Sequence, residues 1–198
     1  MLTRPIVWIP AAGAVLIAAA VVLSLFQPWK LVVDERVNEA LPTAQTATAP
    51  AIPTTPTSAP TTPTTPTTPP TTTPTPPTAE PTILAEGTFI SHEHETTGTV
   101  RILEVADGQR VLRIEGLDTS NGPDLKVWLT DAPVLEGQAG WYVFDDGAYV
   151  DLGVLKGNLG NSNYSIPADV DLADLTSLSI WCDRFSVSFG AAQLTQTA

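Results

Sequence analysis

The chain has 198 residues, a formal net charge of −12 and a single cysteine. One cysteine excludes an intramolecular disulfide and any CxxC redox or zinc motif. Nine basic residues against 21 acidic ones exclude nucleic acid as a partner, which needs clustered Lys and Arg. His92 and His94, the two histidines, stand one residue apart, and no catalytic triad or dyad is visible. The charge is lopsided: residues 1–81 carry net −1 and residues 82–198 net −11. The second half reads as a distinct acidic unit.

Residues 1–29 read as a transmembrane anchor. Ile6 to Phe26 is a charge-free run of 21 residues, and about 20 apolar residues suffice for a helix to cross a bilayer core. Trp8 and Trp29 bracket the run as interfacial indoles would, and Pro10 falls in the first turns, where a missing N–H costs least. A cleaved signal peptide would have a shorter apolar core and a small-residue cleavage site, which Gln27-Pro28-Trp29-Lys30 does not supply. Flanking charge is nearly balanced, but the short N-terminal flank and the low-complexity stretch beyond favour a single-pass topology. The N-terminus is then cytoplasmic and the C-terminal domain extracytoplasmic, with the lipid bilayer as partner of the N-terminal helix.

Residues 30–41 form a juxtamembrane segment, read either as a short helix with Leu31, Val37 and Leu41 on one side or as a solvated extension. Residues 42–82 are a Pro/Thr-rich disordered linker. Pro53 to Thr78 alone holds ten prolines and fourteen threonines, a composition that cannot bury a core. Extended polyproline II at about 3.1 Å per residue gives this linker a reach of about 120 Å, the geometry of a stalk. Its composition also matches O-glycosylated segments.

Residues 83–198 read as one all-β domain, an antiparallel β-sandwich. GTVRILEV, RVLRIEG, DLKVWLT, AYVDLGVL, SLSIWC and FSVSFG are short alternating runs, separated by turn signals such as Asp107-Gly108, Asn121-Gly122-Pro123 and Asp146-Gly147. Alternation puts Leu178, Ile180 and Cys182 on one face and Ser177, Ser179 and Trp181 on the other. A two-residue hairpin loop at Asp183-Arg184 would pair Cys182 with Phe185 and place both on the core face. There the cysteine would behave as a small buried hydrophobe, Cys182→Ala would cost little, and Cys182→Ser would strand a hydroxyl. In SHEHETTG, His92 and His94 would share a face if extended. Two such ligands are too few to specify a metal, and an exposed strand end is the plainer reading.

The order GTF…H…TG, NGPDLKVWL, YVDLGVLKGNLGNSNYSIP and IWCDRFSVSFGAAQL resembles the DM-thirteen domain family, over about Leu84 to Leu194. That family is often found beside DOMON domains and is associated with electron transfer. The resemblance implies a β-sandwich. It also implies that Cys182 is the signature cysteine, acting as a redox thiol or as ligand to a prosthetic group such as haem or another metal cofactor. His94, four residues before Gly98, matches the family's H-x-x-x-G histidine as a second cofactor-binding candidate. One departure stands out: Ser186 occupies the place of a histidine in the FHVVF-like segment of many relatives. Two functions follow. One is a membrane-anchored electron-transfer domain with a redox partner. The other is a non-enzymatic cell-surface or cell-wall interaction module in which Cys182 merely packs.

Overall fold

Alternation of apolar and polar residues forms strands here because each strand buries one face. The computed structural model describes residues 8–42, 80–106 and 108–197. Helix α1 covers Trp8–Phe26, and a short 3-10 helix follows at Pro28–Val32. The strands are β1 (Arg36–Asn38), β2 (Thr82–Ser91), β3 (Thr97–Glu104), β4 (Arg110–Asp118), β5 (Leu125–Thr130) and β6 (Tyr149–Val154), then β7 (Leu159–Ile166), β8 (Ser177–Cys182), β9 (Val187–Gln193) and β10 (Thr195–Gln196).

These strands form one continuous sheet in the order β1-β7-β4-β3-β2-β9-β8-β5-β6, with β10 on β2. The expected all-β class holds, but not the expected pair of separate sheets. Strand β2 is the reason. Its first part pairs with β3 up to Thr88, and Phe89 to Ser91 pair instead with β9. The sheet therefore curls at β2 into a half-barrel whose two halves face each other. Val100, Ile102, Leu112, Ile114 and Tyr164 from one half meet Val127, Leu129, Leu178, Ile180 and Phe189 from the other in one core.

A second, smaller cluster lies on the outer face of β5 and β8. Trp128, Trp181, Ala191, Ala132 and Phe144 form it, with the 131–148 connection folded across the sheet to supply Phe144. Strand β8 is consequently buried along both faces, so Ser177, Ser179 and Trp181 do not face solvent as one-sided alternation suggests.

Of the two readings of residues 30–41, the short helix over the whole segment does not form, and the extension is paired with the domain and not simply solvated. After the 3-10 helix the chain extends, and β1 pairs with β7 in parallel, Arg36 opposite Leu159 and Asn38 opposite Asn161. Residues 1–7, where the apolar run begins, lie outside the described residues, as do Pro53–Thr78 and Asp107. Among the described residues, no helix is long and apolar enough to cross a membrane.

Candidate functional site

Cys182 ends β8, and its side chain falls on the core face with Leu178, Ile180, Val187 and Phe189, as parity requires. The hairpin loop differs from expectation. Cys182 pairs with Val187 and not with Phe185, so the loop is the four residues 183–186. Ser186 makes this turn possible by taking a left-handed backbone, φ 48°. Phe185 consequently leaves the core. It is 51% exposed and stacks on Phe26 at the end of α1, ring centroids 6.2 Å apart. The two-residue shift preserves parity, so Cys182 keeps its predicted face although its partner changes.

The surroundings of the sulfur are both apolar and hydrogen-bonding. Cys182 is fully buried, and burial pushes its thiol above the ordinary range. The backbone amides of Phe185, Arg184 and Asp124 oppose that rise, and the Asp124 carboxylate adds to it. Asp183 is likewise raised, first by burial and then by Asp124, with Lys126 opposing. The thiol is therefore held protonated at neutral pH, which makes it a poor nucleophile.

The two histidines part company. Residues 92–94 bend rather than extend, so the rings do not share a face. His94 tilts over Phe189 with centroids 3.9 Å apart and pairs with Glu93; neither contact involves Cys182. His92 is the buried one. Its Nδ1 lies 2.9 Å from Ser188 Oγ and its Nε2 3.0 Å from Leu135 O. Burial pulls its pKa down, and the Leu135 carbonyl resists. Ser188 Oγ also accepts from Ser179 Oγ at 2.9 Å, so a short polar network runs beneath the second cluster.

That cluster is a chain of rings. Tyr149 stacks on Trp128 at 4.0 Å, Trp128 on Trp181 at 5.1 Å, Phe144 meets Trp181 at 6.4 Å, and His92 meets Phe144 at 5.7 Å. Trp181 is the neighbour of Cys182 on the opposite face of β8. Sequence reading named His92 but read it as part of an exposed strand end, whereas it is buried, and missed this array. The signal available was the pair of tryptophans, 128 and 181, on the outward-facing positions of two strands that turn out to be adjacent.

A haem or other metal group does not fit the residues present. Among the described residues, no three His, Cys, Asp or Glu side chains gather where they could hold a metal. The sulfur is enclosed by core side chains, and His94 is committed elsewhere.

The sequence model of the family described as Electron transfer DM13 matches residues 88–194. No curated protein and no solved structure matches the chain. The matched stretch covers more than half of the chain, from within β2 to the end of the core, and includes Cys182, both histidines and the ring array. The chain belongs to the electron transfer DM13 family.

Proposed function

We propose that this protein is a membrane-anchored, extracytoplasmic electron-transfer module whose redox chemistry centres on the bare thiol of Cys182. The observation that carries the reading is the turn itself. Cys182, the one cysteine of the chain, is enclosed there, with the backbone amides of Phe185, Arg184 and Asp124 opposing the rise that burial imposes on its thiol. The family's association with electron transfer supplies the class of chemistry. Support for the anchor comes from the charge-free run, Ile6 to Phe26, and from the uncovered apolar side chains of α1. Val15, Leu16 and Ile17 are each about two-thirds exposed, as suits a helix surrounded by lipid. The Phe26–Phe185 contact then puts the Cys182 turn at the helix end, where a partner confined to the membrane surface would meet it.

The second reading is a cell-surface or cell-wall interaction module with a structural cysteine. It is favoured by the complete burial and raised pKa of the thiol. The test is a native thiol titration of the purified full chain alongside its visible spectrum. The redox reading expects a colourless protein whose thiol is oxidised by an added oxidant, and so lost to later labelling in denaturant, well before the fold is lost. A thiol that reacts only as the protein unfolds supports the structural cysteine. A Soret band would contradict both the bare thiol and the misfit of haem.

A further inference from the structure

The Pro/Thr-rich tract reads from sequence as a stalk between helix and domain, but its two ends say otherwise. The chain enters the tract beyond β1 and leaves it at Glu80, and both β1 and β2 belong to the same sheet. Tracing the register, Asn38 lies opposite Asn161, β7 runs on to Ile166 opposite Arg110, Arg110 lies opposite Glu104, and Glu104 opposite Thr82. The exit from β1 and the start of β2 are therefore at one end of the sheet, four strand spacings apart, or about 19 Å. A reach of about 120 Å is not needed to join them. Helix α1 enters at the other end, beside the Cys182 turn.

The domain also carries a receptacle shaped for residues 33–41. A Cβ at Gly157 would lie 2.5 Å from Glu35 O and 2.8 Å from Val37 Cγ2, and one at Gly160 would overlap Val37 O. The backbone carbonyls of Glu35 and Val37, with the side chains of Val37 and Asn38, fill the space these glycines leave. Asn158 is 1% exposed and spends its amide on the segment: its Oδ1 accepts from Glu35 N at 2.7 Å, and its Nδ2 donates to Asp34 at 2.9 Å. Arg113 is buried and donates to the Glu39 and Ala40 carbonyls at 3.0 and 3.1 Å. The Glu39 carboxylate accepts from Lys156 Nζ at 2.8 Å and from Asn163 N at 2.6 Å. Steric, backbone and charge complementarity thus agree on one occupant. Without it, the Asn158 side chain would keep only Thr119 O, leaving its Oδ1 without the Glu35 amide, and Arg113 would keep Glu115 and Asn163 but lose two backbone carbonyls. Buried polar groups left short of partners are costly.

We propose that residues 33–41 are a latch. The domain is fastened directly to the end of α1 by a parallel edge strand, and the Pro/Thr tract is a side loop leaving and rejoining the far end of the same sheet. The covalent path through the tract is then not what holds the domain to the anchor. This is strand addition to a sheet edge, made within one chain and helped by the high effective concentration that the tract provides.

The test is to insert a site-specific protease sequence between Pro60 and Thr61 of the full chain, purify it in detergent, cut it, and apply it to gel filtration. The latch predicts that both fragments co-elute under native conditions and separate in urea. Release of the domain on cutting alone would overturn it. Gly157→Val in the same background should release the domain after cutting while leaving its far-UV circular dichroism unchanged. Glu39→Lys, which faces Lys156 and Arg113 from the segment's side and leaves the domain's own residues untouched, should shorten retention at least tenfold. Retention unchanged in Glu39→Lys would overturn the proposal even if the Gly157 variant failed to fold.

Discussion

Replacing Cys182 separates two pictures of its surroundings by the order of two variants. If the site were merely apolar, Cys182→Ala would be mild and Cys182→Ser worse, because the hydroxyl would be unpaired. The amides of Phe185, Arg184 and Asp124 reverse that order. The Phe185 amide keeps a second acceptor in the Cys182 carbonyl at 3.2 Å, but the other two lose the partner that sulfur supplies. Alanine leaves a sulfur-sized void, about 1 kcal/mol, and two half-buried donors without the weak acceptor that sulfur gave them, at about 0.5–1 kcal/mol each. The cost of Cys182→Ala is then about 2–3 kcal/mol. Serine accepts the same amides and costs about 1 kcal/mol. Urea unfolding of the full chain, followed by the fluorescence of the buried Trp128 and Trp181, measures both. At about 4 °C per kcal/mol for a domain of this size, the melting temperatures should differ visibly. A serine variant less stable than the alanine variant by 1 kcal/mol or more, on the scale of one such hydrogen bond, would refute the amide cradle.

Three further outcomes follow from the same geometry. His92 has its pKa lowered by burial, so the folded state prefers the neutral ring. Stability should be full above the ordinary histidine pKa, near 6.5, and fall as the pH drops below it, an effect absent in His92→Asn when unfolding is measured between pH 7.5 and 5. Glu39 titrates the opposite kind of contact. Burial opposes its charge, but Lys156 and the Asn163 amide overcome that and hold its carboxyl below the usual range. The edge strand's stability is therefore present above the ordinary carboxylate pKa and lost only as pH falls through the lower folded value, read as hydrogen exchange at the Glu39 amide. Gly190→Ala should cost about 1–3 kcal/mol by overpacking, since its Cβ would lie 2.5 Å from Thr96 Cβ, and thermal unfolding measures it.

Strand identity was legible because each core strand turns an alternating set of apolar side chains to the core. Leu125, Val127 and Leu129, like Leu178, Ile180 and Cys182, stand where alternation puts them. Pairing was not legible, because a period of two says which way a side chain points and not which strand lies beside it. Hence the continuous curl through β2 read as two separate sheets. The Cys182 turn was misjudged by two residues because a serine in a left-handed backbone has no sequence signature as strong as glycine. His92 was misread for the complementary reason: the parity argument needs an extended chain, and residues 92–94 bend. Strand β1 was the least visible. It is three residues long with one half-buried side chain, and what makes it a strand lies far away in sequence, in Gly157, Asn158, Gly160 and Arg113. Nothing local to those residues points to a covering strand, because the segment that covers them lies across the Pro/Thr tract in sequence. The motif order around Cys182 was legible as a family, and the family match bears it out.

A redox titration of the full chain at controlled potential, read as electrons released and returned per molecule, bears most directly on the electron-transfer reading. Cys182→Ser is the paired variant, since it keeps the amide contacts of the turn while removing the sulfur. Reversible release of an electron and a proton from the wild-type thiol to the applied potential, and their return, both absent in Cys182→Ser, is the predicted result. Identical titrations of the two proteins, or none in either, would contradict a redox centre at Cys182.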